Sequence, residues 1–199
     1  MRTLALLLIL TSTLHANPSS WTPLFNGKDL TGWHTKPGGK WEVKDGTIIG
    51  TCQKSEKRHG LLVSDKQYSN FILRTKFKVT QGNSGLYFRA EKTNSVVSVK
   101  GFQAEVDNSP AVGGLYETAG RAWVKKPDPK IISSIFKPKD WNQMTVTAIG
   151  DNITVSINGT TVTELLGDTK CLKKGHIALQ LHGSMDMHVE FKDIAVIEL

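Results

Sequence analysis

Gln103, Glu105 and Asp107 occupy alternate positions in the stretch Gly101–Asn108, with Phe102, Ala104 and Val106 as the other set. On a β-strand the apolar set enters a core, and the amide and two carboxylates share the opposite face. Same-face neighbours on a strand lie roughly 7 Å apart at Cα, so each carboxylate feels the other's charge and both can reach one small substrate. That is an arrangement for acid/base chemistry. An antiparallel strand with one wet face shows the same alternation for purely structural reasons, so this segment alone leaves both readings open. Two more segments repeat the pattern. In Gly82–Ala90, Leu86, Phe88 and Ala90 oppose Tyr87 and Arg89; in His176–His182, Ile177, Leu179 and Leu181 oppose Ala178, Gln180 and His182. Polar faces turned toward one hollow would bring together Glu105, His182, Asp107, Arg89, Gln103, Gln180 and Tyr87: a base, an acid, a cation and amide ligands.

The rest of the chain must build the sheets that hold these strands. Trp21–Trp33 is rich in turn formers and aromatics and reads as an entry segment packing Leu24, Phe25, Leu30 and Trp33 against the domain edge. Trp41-Glu42-Val43 and Thr47–Gly50 flank an Asp45-Gly46 turn, a hairpin signature. Thr51–Gly60 is polar and predicts a loop, with His59 exposed on it. Asn70–Thr80 alternates Phe71, Leu73, Phe77 and Val79 with Arg74, Lys76 and Lys78, the pattern of a long half-buried strand with a basic outer face. Asn108–Lys139 is rich in Pro and Gly and contains Tyr116, Glu117, Arg121 and Trp123; a connection that long is usually functional. Strands resume at Met144–Ile149, turn at Asn158-Gly159 and close the chain with His176–His182 and Met187–Ile197. Helical periodicity is nearly absent. The expected fold is all-β, a two-sheet antiparallel jelly-roll sandwich.

The first residues describe a leader: Met1-Arg2-Thr3, the apolar run Leu4–Leu10, then Thr11–Ala16, which ends on a small residue. An apolar run too short to span a bilayer, behind a positive start, predicts a signal peptide over residues 1–16, cleavage after Ala16, and export to the periplasm or the exterior. Residues 17–199 then form a single domain of ample size for a core. Of 25 basic residues Arg2 falls in the leader, which leaves 24 against 18 acidic ones, a net charge of +6. The excess is scattered, without the basic stripe of a nucleic-acid binder. No later run is apolar enough for a membrane span. Cys52 and Cys171 allow one intramolecular disulfide, which export would permit. Neither CxxC nor HExxH spacing occurs, so no metal or other cofactor is expected; Asp186 and His188, near the last strand, have no spacing that compels a metal.

Several blocks carry a family resemblance: Leu24–Trp33, Trp41-x-Val43-x-Asp45-Gly46, Gly82–Arg89, Gly101–Asp107, and Leu181-His182-Gly183 through Phe191–Ile194. In this order, and over nearly all of residues 17–199, the chain resembles the 3-keto-disaccharide hydrolase domain. The resemblance implies a concanavalin A-like scaffold, bacterial export, and a carbohydrate partner whose glucose is oxidised at C3. Laminarinase-type glucanases of similar fold carry Glu-x-Asp-x-(x)-Glu; here Glu105 and Asp107 fill the first two places, but Ser109 and Pro110 stand where the last Glu belongs. Retaining hydrolysis needs two carboxyl groups about 5 to 5.5 Å apart, so the ordinary mechanism is disfavoured unless a loop brings Glu117. A 3-keto group instead acidifies the proton on C2, so that one base and one electrophile suffice for elimination at C1 followed by hydration. On that reading Glu105 or His182 is the base, Arg89 stabilises the enolate, and Asp107 orients or serves as acid. Gln103, Gln180, Tyr87 and Asn83 hold hydroxyls, and Tyr116, Arg121 and Trp123 meet the leaving group. A non-catalytic, lectin-like module is the alternative on the same scaffold.

Overall fold

The computed structural model describes residues 20–199 apart from residue 96; the expected leader, Met1–Ala16, lies outside the described residues. In chain order the strands are β1 (Thr22–Pro23), β2 (Trp33–Lys36), β3 (Lys40–Lys44), β4 (Thr47–Cys52), β5 (Gly60–Tyr68), β6 (Phe71–Gln81), β7 (Ser84–Lys92), β8 (Val99–Val106), β9 (Leu115–Thr118) and β10 (Ala122–Lys125). The short helix α1 (Pro129–Ile135) follows, then β11 (Asn142–Ile149), β12 (Asn152–Ile157), β13 (Thr160–Leu165), β14 (Gly175–Leu181) and β15 (Met187–Glu198).

Two antiparallel sheets face each other. One runs β13-β12-β11-β6-β15-β4-β3, with β1 paired to β15; the other runs β10-β9-β8-β7-β14-β5-β2. The expected all-β sandwich is the observed one. Period-2 alternation decides which side chains meet between the sheets. Phe71, Leu73, Phe77 and Val79 of β6 face Leu86, Phe88, Phe102, Ala104, Leu179 and Leu181 of the other sheet in one continuous cluster. The turns do what their residues dictate. Asp45-Gly46 and Asn158-Gly159 take positive φ at both positions (49° and 70°, 50° and 86°), as two-residue hairpins with right-handed twist require.

One strand outside the alternating set and one expected loop have identifiable causes. Leu61, Leu62 and Val63 of β5 are all buried, because Leu62 enters the inter-sheet core while Leu61 and Val63 join a second apolar cluster with Tyr87, Ala90, Val99 and Ala178. A strand covered on both faces shows no alternation. The long connection after β8 is not a loop throughout: β9 and β10 extend the seven-stranded sheet, and Asp128 caps α1 by accepting from the Lys130 N–H at 2.8 Å. Cys52 and Cys171 are both buried free thiols. The disulfide does not form: Cys52 pairs in register with Met187, while Cys171 lies against Arg89.

Candidate active site on the outer face of the seven-stranded sheet

The register of five strand pairs sets one row of side chains across the outer face. Val63 is opposite Ala178, Ala178 opposite Tyr87, Tyr87 opposite Gln103, Gln103 opposite Tyr116, and Tyr116 opposite Trp123. Two residues along β8, Glu105 sits opposite Gly85. Tyr87, Gln103, Glu105, Tyr116 and Trp123, together with His59, Asn83, Thr118, Gln180, His182 and Met185, line a cavity of about 540 Å³, while Val63 and Ala178 belong to the buried apolar cluster. Larger surface hollows exist, such as one bounded by Lys40, Cys52 and Arg58, but this cavity gathers the titratable and amide groups.

Glu105 is the carboxylate among the lining residues. It is 3% exposed. Asn83 Nδ2 donates to its Oε1, and Gln103 Nε2 donates to its Oε2 at 3.2 Å. Burial pushes its carboxyl up to about 7, with help from the negative charge of Asp107, against the amide donors and the Lys126 ammonium. A carboxyl poised near neutrality can both take and return a proton. Gly85 makes this geometry possible, because a Cβ there would lie 2.3 Å from Gln103 Oε1. Gly85→Ala is therefore expected to push Gln103 off Glu105. The loss should be about 1–3 kcal/mol in chemical denaturation, and turnover should fall with it.

A second network crosses the cavity. Gln180 Nε2 donates to the Tyr87 hydroxyl at 3.1 Å and points at His59 Nδ1 at 3.2 Å. The Tyr87 hydroxyl and Thr118 Oγ1 are 2.8 Å apart. Burial raises the Tyr87 phenol above its ordinary value, so it stays protonated. The His59 and His182 rings approach to 4.3 Å between centroids, and His182 Nδ1 lies 2.7 Å from the Gly183 carbonyl. The loops bearing the two rings are tied by the Ser184 N–H, which donates to the Glu56 carbonyl at 2.6 Å. Gln103 Oε1 and Gln180 Oε1 are buried without a hydrogen-bond partner. Two unsatisfied carbonyl oxygens beside a carboxyl, in a cavity of this size, suit a polyhydroxylated ligand.

Over residues 20–197 the chain matches the family described as the 3-keto-alpha-glucoside-1,2-lyase-like domain. It belongs to that family. Solved structures similar to this 3-keto-alpha-glucoside-1,2-lyase-like chain include a candidate glycosyl hydrolase from Parabacteroides distasonis, with 22% identity, 90% of this chain and 94% of the other covered, and a TM-score of 0.67. The carbohydrate-binding module CBM66 from Bacillus subtilis aligns at 17% identity over 87% and 99% of the two chains, TM-score 0.63. The kappa-carrageenase of Pseudoalteromonas carrageenovora aligns at 13% over 94% and 98%, TM-score 0.57. At these identities the likeness is one of fold. No curated protein matches the chain.

Within this family domain the structure brings Glu105, His182, Gln103, Gln180, Tyr87, Asn83, Tyr116 and Trp123 to one cavity and leaves three expected residues outside it. Arg89 is the main correction. The β7–β8 register shifts between Phe88 and Glu91, and Arg89 adopts φ 48°. Such a bulge inserts one residue and reverses the facing of those that follow. The guanidinium therefore turns away from the cavity and donates to the carbonyls of Ser69, Gly150 and Leu172 and to Asn70 Oδ1. Asp107 lies just past β8, and its carboxylate accepts from the Ser109 N–H at 3.0 Å and the Ser109 hydroxyl at 2.6 Å. It caps a turn and acts on Glu105 only through its charge. Arg121 grips Asp168 with two hydrogen bonds, at 3.0 and 2.7 Å, and pairs with Glu117. It pins the β9–β10 hairpin, and it also occupies the carboxylate that a glucanase mechanism would have needed. Asp186 accepts from the Lys54 N–H, and His188 faces Glu190 at 3.4 Å. Among the described residues no group of three or more His, Cys, Asp and Glu could hold a metal ion.

His59 and Thr118 are the residues sequence reasoning missed. The loop of His59 is polar and charged, and nothing local shows that it folds back. The contact that holds it is visible only in the folded chain: at Gly60 a Cβ would lie 1.6 Å from the Gly38 carbonyl oxygen. That close backbone approach of residues 58–60 to Gly38 leaves the end of the loop packed against the sheet.

Proposed function

We propose that the protein cleaves 3-keto-glucosides by removing the proton on C2, eliminating the substituent at C1 and adding water to the resulting enone. The observation that carries this reading is one buried carboxyl, Glu105, poised near neutral pH among amide ligands, with no second carboxyl among the lining residues. Double displacement needs two carboxyl groups across the bond; elimination next to a ketone needs one. Ionised Glu105 takes the C2 proton, the C3 oxygen becomes an enolate, and collapse of the enolate expels the C1 oxygen. Glu105, now protonated, returns the proton to that oxygen. Gln103 and Gln180 hold ring hydroxyls through their unpartnered carbonyl oxygens. Tyr116 and Trp123, packed edge to face at 5.4 Å, form a platform for the leaving group, and Trp123 is 38% exposed there.

The test offers the purified protein a glucoside and its 3-keto counterpart. Release of the aglycone from the keto form alone is expected. Turnover of the unoxidised sugar would return the reading to a glucanase, and binding of both without turnover would return it to a lectin-like module. The same reading places the protein outside the cytoplasm, which the leader-like first residues support. N-terminal sequencing of the exported protein should then begin at Asn17.

A further inference from the structure

The enolate of the proposed reaction needs a donor at its oxygen, and Arg89, the cation expected for that task, is turned away. Two histidines on the cavity present complementary atoms instead. Gln180 Nε2 directs one hydrogen to the Tyr87 hydroxyl and the other to His59 Nδ1. An amide nitrogen only donates, so His59 Nδ1 carries the lone pair and its proton sits on Nε2. The Gly183 carbonyl only accepts, so His182 Nδ1 is the protonated nitrogen there, and His182 Nε2 carries a lone pair. One ring thus offers an N–H and its neighbour, 4.3 Å away between centroids, offers an acceptor.

We propose that the Nε2–H of neutral His59 is the hydrogen-bond donor that stabilises the C3 enolate oxygen, and that His182 Nε2 accepts from an adjacent hydroxyl of the same sugar. The assignment rests on the keto-sugar reading above. In the step, the C2–H bond breaks with its proton passing to Glu105, the C2–C3 double bond forms, and the C3 carbonyl electrons move to oxygen, where the His59 N–H meets them. On collapse the carbonyl re-forms, C1–C2 becomes the double bond and the C1–O bond breaks. His59 stays neutral throughout; burial and the neighbouring His182 push it down to about 4. A neutral imidazole N–H is a competent electrophile for an enolate.

The experiment compares wild type with His59→Phe and His59→Gln on a 3-keto glucoside. It also follows exchange of the C2 proton in deuterated water and reads the His59 tautomer from ring ¹⁵N shifts. Loss of one such donor costs about 10²- to 10³-fold in kcat. His59→Phe should show that loss with KM nearly unchanged, slow C2 exchange in parallel, and leave the midpoint of the pH profile near 7. His59→Gln, which keeps an N–H, should recover at least about tenfold of the loss. The wild-type ring should carry its proton on Nε2. Full kcat in His59→Phe, a loss confined to KM, or a proton on Nδ1 would overturn the assignment while leaving the keto-sugar reading intact. A wild type inert toward the keto sugar would overturn both.

Discussion

Glu105→Gln should lower kcat/KM on a 3-keto glucoside by about 10³-fold or more, because it removes the only proposed base at the cost of one atom's identity. Wild-type kcat/KM should rise about tenfold per pH unit below pH 7 and level off above it, since the working form is the ionised one. The carboxyl titrates near 7 because it is buried and lies near Asp107. Stability should move the opposite way. A carboxyl raised from 4.5 to about 7 on folding binds its proton more tightly in the native state. The advantage this gives the native state is complete below pH 4.5 and is lost as pH climbs through 7. The ionised form therefore weakens the fold by about 3 kcal/mol at pH 8. Glu105→Gln, which cannot ionise, should melt higher than wild type at pH 8 and about equally below pH 4.5. Melting curves across that range, beside the pH–rate profile, check both halves. A variant that melts lower at pH 8 would mean Glu105 is a stabilising structural charge and not a strained functional one.

Arg89→Ala should be the most damaging single substitution outside the cavity. Arg89 is 2% exposed, and burial lowers the pKa of its guanidinium from the ordinary value. It still remains charged, as arginine does in proteins. It spends its donors on three carbonyls and one side-chain amide from segments far apart in sequence, near residues 69–70, 150 and 172. Truncation leaves several of these buried acceptors unmatched and opens a void. The expected cost is at least about 3 kcal/mol, a fall in melting temperature of roughly 6–12 °C. Lysine should not rescue it, since one ammonium cannot fan across three strands' ends. Well below its melting temperature, the folded variant should keep kcat within a factor of about three. A stable Arg89→Ala protein with kcat reduced a hundredfold would instead restore Arg89 to the chemistry.

The contrast between Glu105 and Arg89 shows how much of the site could be read in advance. Both sit on strands with clear alternation, and pattern alone puts both on a polar face. For Glu105 the pleat of β8 runs undisturbed from Phe102 to Val106, so parity along the chain predicts its side. For Arg89 a bulge intervenes, and whether a strand bulges depends on how its neighbours pair. Asp107 and Arg121 fail for a related reason: their partners, Ser109 and Asp168, lie in turns whose course the alternation does not encode. His59 is the opposite case, a residue in a polar loop that tertiary packing carries onto the sheet beside His182.

From sequence come the all-β class, the two paired hairpin turns, the core face of each regular strand and the outward set Tyr87, Gln103, Glu105, Gln180 and His182. These depend on period-2 geometry and turn chemistry, which are properties of neighbouring residues. Only the folded chain decided which charged groups share the cavity, that Arg89 is a structural clasp, that the two thiols stay apart, and that His59 and His182 stand ring to ring. Those outcomes depend on contacts between segments distant in sequence, where one inserted residue or one packed loop redirects a side chain by the thickness of a sheet.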